Sequence, residues 1–328
     1  MIHGKSTNVL AALAACCLLA PLRVVWAAGG DAPPRFEVPA PQAGGPLTFV
    51  VYGDTRFTQR DEVANPYARH ALVARIASEH PAAILIGGDL VFQGDNPDDY
   101  DTYHSETTEW SKQRIPVFPA LGNHESKGCD KNDEDPCLEN WWTAFSSLSL
   151  RPHRWYSVTI GATLLALILD SDAALKAGSA QRVWFEQQIT NADSRVRFIL
   201  VVLHYPPVRD AFYPSVLDEK EVARYFAKRA RTLPAQVVVV GSHVHNYERY
   251  YRNGVTYLVS GGGGAKPVPA VRLFGERSGL RTSVNYHYLR FTLQGDRLIG
   301  TMVRFDAAVD RASNPWSEPD RFEVRAKN

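Results

Sequence analysis

Seven polar side chains in this sequence each stand just past an apolar run. The run Thr48–Gly53 leads to Asp54, and Ala83–Gly88 leads to Asp89. Pro116–Gly122 leads to Asn123-His124-Glu125, Phe198–Leu203 to His204, and Gln236–Ser242 to His243-Val244-His245. One such ending means little. Five in succession put two carboxylates, one amide and four imidazoles on a single rim, because open α/β sheets carry their sites outside the carboxyl ends of the strands. Carboxylates offset the charge of cations, imidazoles supply nitrogen, and an amide oxygen adds a neutral donor. With no cysteine in the set, iron, manganese and zinc all suit it. Glycines beside the ligand types (Gly53, Gly88, Gly122, Gly241) permit sharp exits from the strands. His243 and His245 are two apart and share a face of a regular strand.

Other residues compete for roles. Arg56, two positions after Asp54, either pairs with a nearby carboxylate or grips a substrate phosphate through its planar fork. Glu125 reads as an orienting residue or a surface one. Tyr247, Glu248 and Arg249 read as packing and pairing beneath the site. His70, His80, His104, His153 and His287 lack motif context and read as surface or structural. The glycines Gly261–Gly264 lack the ending of a phosphate-binding loop, so a crowded backbone turn is expected there.

The elements that must position these residues alternate. Strands are expected at Leu47–Tyr52, Ala82–Ile86, Pro116–Leu121, Arg197–Leu203 and Gln236–Val240, with a hairpin over Trp155–Ile160 and Thr163–Leu169. Helices are expected from Asn65-Pro66, over Pro97–Arg114, over Gln181–Ile189 and near Glu219–Lys228. Antiparallel runs follow at Val255–Ser260, Tyr286–Leu293 and Arg297–Phe305. The central strands are apolar throughout, as when both faces are covered. The expectation is an α/β fold, a four-layer α-β-β-α sandwich of two packed mixed sheets.

The chain has 328 residues, 45% hydrophobic and 22% charged, with a net charge of +1. That is ordinary globular composition. Its Lys and Arg are dispersed, which argues against a nucleic-acid partner. Residues 1–28 read as an export signal: a short basic start, an apolar stretch over Asn8–Leu22, and a small-residue site at Val25-Trp26-Ala27. The stretch is too short for a stable membrane span, which takes about 20 residues. Lipidation at Cys16 is the alternative, set against a short apolar run before it. The expected location is periplasmic or secreted. Residues 29–46 read as a linker, 47–305 as the domain and 306–328 as a polar tail. In an exported chain Cys129 and Cys137 are expected to form a disulfide. Nothing in the sequence sets an oligomeric state.

The ordered set Gly53-Asp54, Gly88-Asp89, Gly122-Asn123-His124-Glu125, His204 and His243-Val244-His245 resembles the calcineurin-like metallophosphoesterases. The resemblance spans Leu47 to Gly264. The stretch His243–Arg249 looks most like the purple acid phosphatase branch. By position, the resemblance implies that Asp89 bridges two metal ions (Fe, Mn or Zn). Asn123, His204 and His243 would complete one, and Asp54 and His245 would belong to the other. His124 would sit beside the substrate as proton donor or stabiliser of the leaving oxygen. The implied activity is hydrolysis of phosphomonoesters before diesters, on a small phosphorylated substrate, by in-line attack of a metal-bound hydroxide.

Three positions depart from the pattern. Arg56 stands where the family has a histidine, and Phe92 where the purple acid phosphatases have a tyrosine. Neither can coordinate, so the first metal is one ligand short. Ser242 replaces a glycine, a small change. The other class of function consistent with these departures is a catalytically silent anion-binding module.

Overall fold

The computed structural model describes residues 23–25, 32–41, 44–128, 134–210, 218–268, 286–308 and 314–327, with backbone alone for Arg23–Val25 and residues 134–137. In chain order the elements are β1 (Arg23–Val25), β2 (Arg35–Val38), β3 (Leu47–Tyr52), α1 (Pro66–Ser78), β4 (Ile84–Ile86), α2 (Pro97–Glu106), α3 (Thr108–Lys112), β5 (Val117–Pro119) and α4 (Glu134–Ala144). Then come β6 (Tyr156–Ile160), β7 (Leu164–Ile168), α5 (Ala180–Thr190), β8 (Phe198–Val202), α6 (Glu221–Arg229) and β9 (Gln236–Gly241). The chain closes with β10 (Tyr247–Arg252), β11 (Val255–Ser260), β12 (Tyr286–Gln294), β13 (Arg297–Phe305) and β14 (Trp316–Arg325).

The strands form two mixed sheets. One has the order β1-β2-β6-β7-β8-β9-β11-β10, the other β14-β13-β12-β3-β4-β5. Within them β7-β8-β9-β11 run parallel, as do β3-β4-β5. Alternation along the strands explains the layers. Leu164, Ala166 and Ile168 of β7, and Phe198, Leu200 and Val202 of β8, enter the core between the sheets. Leu165, Leu167, Ile199 and Val201 point the other way, into a second core closed by Trp184, Phe185, Val222 and Phe226 of α5 and α6. On the far side, Leu72, Val73 and Ile76 of α1 and Tyr100, Tyr103 and Trp110 of α2 and α3 cover the six-stranded sheet. The result is the four-layer sandwich expected from the sequence.

Local chemistry sets the helix boundaries. Asn65 caps α1 by accepting from the Ala68 amide, with Pro66 in the first turn. The expected single helix over Pro97–Arg114 is two, α2 and α3. The break falls at Thr107, whose hydroxyl donates back to the Tyr103 carbonyl at 2.7 Å.

Two expected boundaries need correction. Residues 29–46 are not all linker, because Arg35–Val38 is a strand running parallel to β6. Phe36 and Val38 point inward, and the Phe36 ring lies 5.5 Å from both Phe118 and Tyr156. The prolines on either side hid this short alternation. Residues 306–328 are likewise not a loose tail: Trp316–Arg325 pairs antiparallel with β13. Trp316 meets Phe305, and Phe322 meets Phe291. Pro319 is accepted because β14 is an edge strand. Arg23–Val25, inside the expected export signal, pairs with β2. The expected Cys129–Cys137 bridge falls outside the described residues.

Candidate metal centre

Every ligand-type residue singled out from the sequence lies at the carboxyl end of a parallel strand. Asp54 follows β3, Asp89 follows β4 and Asn123-His124 follow β5, all neighbours in one sheet. His204 follows β8 and His243-Val244-His245 follow β9, neighbours in the other. The two sheets therefore bring their rims together over one site. The exits are sharp: Asp54, Arg56, Asp89 and His243 all have positive φ, between 45° and 65°. Non-glycine residues hold that conformation at a cost of about 1–3 kcal/mol each, which surrounding structure must outweigh.

Half of the site converges on one nitrogen. The Nδ1–H of His204 donates to the Gly87 carbonyl at 3.0 Å, which turns Nε2 into the site. Facing it are Asn123 Oδ1 at 3.0 Å, His243 Nδ1 at 3.1 Å and Asp89 Oδ1 at 3.2 Å. Neither oxygen has a proton to offer. Two oxygens and two imidazole nitrogens gathered in a buried space form a donor set that suits a cation. Ligand atoms of Asp54, Asp89 and His204 all lie within 4.8 Å of one another.

The other half is thinner. Asp54 is fully buried, and neither of its oxygens makes a hydrogen bond of ordinary geometry among the described residues. Burial and the Asp89 charge push its carboxyl well up, although Arg56 and the His243 amide favour the charged form. The Nδ1–H of His245 donates to the Lys266 carbonyl at 2.7 Å, and Nε2 faces Asp54 Oδ1 at 3.6 Å. Burial holds the His243 and His245 imidazoles down, to about 3 and about 4, so both are neutral donors at ordinary pH. For Asp89, burial raises the carboxyl, but His204, Arg56 and the His124 amide outweigh it and hold it well below the usual range. The residues present thus fit a cation in the first half fully, and offer a second one Asp54, His245 and a shared Asp89.

Arg56 and His124 sit at the edge of the thin half. Arg56 Nη2 lies 3.4 Å from Asp89 Oδ2 and donates to His124 Nε2 at 2.9 Å. The opposite nitrogen, Nδ1, donates to the Phe92 carbonyl at 2.5 Å. Of the two readings open for Arg56, the ion pair is the one present. Burial pulls His124 down to about 4, with Arg56 adding to the effect, so its Nε2 receives a proton from Arg56 and carries none of its own.

Glu125 is fully buried rather than at the surface, and it organises the loops. Its carboxylate accepts from the amides of Gly122, Leu90, Asp89 and Val91 at 2.6, 2.8, 3.0 and 3.4 Å. Burial and the Asp89 charge raise it to about 8, while these amides pull the other way. The exit loops of β4 and β5 are thereby fastened to each other. The Gly261–Gly264 turn is crowded as expected: a Cβ on Gly261 would stand 2.4 Å from Asp54 Oδ2.

Sequence reasoning missed two features. Phe92 is more than an absent ligand. Lys127 Nζ lies 3.6 Å from its ring centre, Arg60 Cζ 4.8 Å and Arg56 Cζ 5.9 Å, so three cations surround one ring at the lip of the site. No motif marks Arg60 or Lys127, which come from separate loops. Ser242, set aside as a harmless replacement, is fully buried and donates to the Ser260 carbonyl at 3.1 Å. It fills the space beside Gly53 and Gly87, where an added Cβ would meet its Oγ at 2.2 Å.

Among solved structures, the chain is similar to a purple acid phosphatase from yellow lupin (Lupinus luteus) seeds, with a TM-score of 0.69 at 16% identity. The match covers 89% of this chain and 56% of the plant protein, so the chain spans little more than half of that relative's length. It is similar to a dimetal phosphatase from Danio rerio (TM-score 0.56, 12% identity, 86% of this chain and 99% of the other). It is also similar to GAP50, described as the anchor in the inner membrane complex of Plasmodium (TM-score 0.57, 15% identity, 87% and 90%). At such identities these likenesses show a shared fold. The family model for calcineurin-like phosphoesterases matches residues 47–247, the stretch that runs from β3 through the His243-Val244-His245 loop. On that match, with its strand-end ligands in the order and places just described, the chain belongs to the calcineurin-like phosphoesterase family.

Proposed function

We propose that this chain is an exported, metal-dependent phosphoesterase that hydrolyses small phosphomonoesters in preference to diesters. The observation that carries the reading is the approach of Asp89 Oδ1, Asn123 Oδ1 and His243 Nδ1 to within 3.2 Å of His204 Nε2. These four residues would hold one ion of iron, manganese or zinc. Asp54 and His245, sharing Asp89, would offer a weaker second position. An ion held there acidifies a water and neutralises charge on the phosphoryl oxygens. The chain's own groups do the rest. Arg56 presents a fixed positive charge beside Asp89, suited to an equatorial phosphoryl oxygen. His124, neutral and held by Phe92, keeps that guanidinium in place. Arg60 and Lys127 draw an anion to the rim.

The test is hydrolysis of an aryl phosphate by chelator-treated protein, alone and with Mn²⁺, Fe²⁺ or Zn²⁺. Turnover restored by at least one metal is expected. Folded protein that stays inert with all three sinks the reading and leaves the silent anion-binding module, which the Arg56–His124 pairing favours. Export rests on the sequence of residues 1–28 and predicts a mature chain starting near Ala28, to be read from the intact mass of protein recovered outside the cytoplasm. Recovery there at full length, or no recovery there at all, removes the claim of a cleaved signal.

A further inference from the structure

Arg56 is a feature of the site that a two-ion centre does not need. Its guanidinium lies within hydrogen-bond or ion-pair reach of His124 Nε2 and Asp89 Oδ2, at 2.9 and 3.4 Å. Its charge also reaches Asp54 and His245. Those two, with the shared Asp89, are the donors of the thin half. The guanidinium therefore sits against Asp89, the carboxylate that a second ion would have to share with the first.

It is held there by construction. The Arg56 side chain is only 13% exposed. Its amide donates to the Asp89 carbonyl at 3.0 Å, and its φ is fixed at 45°. Its carbonyl accepts from Arg69 at 2.9 Å. Arg69 is itself buried and doubly bonded to Glu106. A guanidinium keeps its proton at any working pH and has no lone pair to give. It cannot serve as a ligand, and it repels a cation placed beside it.

We propose that the Arg56 guanidinium stands in for the second metal ion: the chain holds one ion, among Asp89, Asn123, His204 and His243, and Arg56 supplies the other positive charge over the phosphoryl group. This deepens the metal-dependent reading above and rests on it. Asp54 and His245 then serve the guanidinium side of the site, as charge partner and neighbour, rather than a second ion.

The experiment is metal stoichiometry on the full chain after chelation and reloading with Mn²⁺. Elemental analysis and titration calorimetry count the ions, and electron paramagnetic resonance separates isolated from spin-coupled Mn²⁺. Wild type is expected to hold one isolated ion per chain. Arg56→Ala and Arg56→Gln, shown folded by circular dichroism, are expected to take up a second. That ion should bind at least about 100-fold tighter than any second ion in wild type, and give a coupled signal. Arg56→Lys keeps the charge and should stay at one. Wild type with two ions of similar affinity overturns the proposal while leaving the metal-dependent reading intact. Uncharged variants that remain at one ion overturn it too. Folded wild type that binds no ion overturns both.

Discussion

At the scale of single residues, the candidate ligand positions were legible because their chemistry is tied to position. An Asp, Asn or His directly after an apolar run is placed by the strand before it, and the structure gathers Asp89, Asn123, His204 and His243 as the spacing implied. Glu125 was only half legible. Nothing in a sequence tells a carboxylate pointing at water from one that accepts four backbone amides. That difference gives a prediction. Glu125→Ala leaves the amides of Gly122, Asp89, Leu90 and Val91 without their acceptor in a buried place. Each lost partner costs about 1–3 kcal/mol, though relaxation and water recover part of it. Denaturant unfolding should show a loss of at least about 3 kcal/mol, and any folded protein should bind metal more weakly. A loss under about 1 kcal/mol would mean that the loops hold themselves.

At the scale of elements, strand types and order followed from periodicity, while the contacts between strand ends did not. Gly87 follows β4 in one sheet, and Ser242 follows β9 in the other. A Cβ on Gly87 would stand 2.2 Å from Ser242 Oγ, and the next atom beyond that serine, Leu203 O, is 3.8 Å away. The clash is therefore with one side chain alone. Gly87→Ala should destabilise by about 1–3 kcal/mol through overpacking. Ser242→Gly in the same chain should restore most of the loss, a coupling of about 1–2 kcal/mol in a double-mutant cycle followed by thermal unfolding. Additive effects would show that the two rims do not press on each other there. No sequence pattern could have announced this, because residues 87 and 242 meet only once both sheets exist.

At the scale of the whole molecule, the four layers were readable from alternation, and the ends of the chain were not. Proline-rich composition suggested loose segments on both sides of the domain, yet Arg35–Val38 and Trp316–Arg325 complete the sheets. A short or edge strand needs few apolar residues, and its partner supplies the rest of the signal. Stability as a function of pH also belongs to this scale. Asp170 is fully buried beside Arg154, whose Nε lies 2.6 Å away. Burial, against the pull of Arg154, raises its carboxyl from 3.8 to about 6. A raised carboxyl favours the protonated native state. The stability it adds is complete below its unfolded value near 4 and is lost as pH rises through about 6. Two units correspond to about 3 kcal/mol as an upper figure. Asp170→Asn should flatten that part of the stability profile between pH 4 and 6, measured by denaturant titration at each pH. An unchanged slope would place the proton elsewhere.

The donors around His204 Nε2 come from two sheets, each with its own strand ladder. Asp89 and Asn123 belong to one, His204 and His243 to the other. An ion seated there acts as a rivet through two plates. Whatever slides one plate along the other, even by a fraction of a bond length, also opens the coordination shell, so mechanical alignment of the layers and chemical competence cannot be tuned apart.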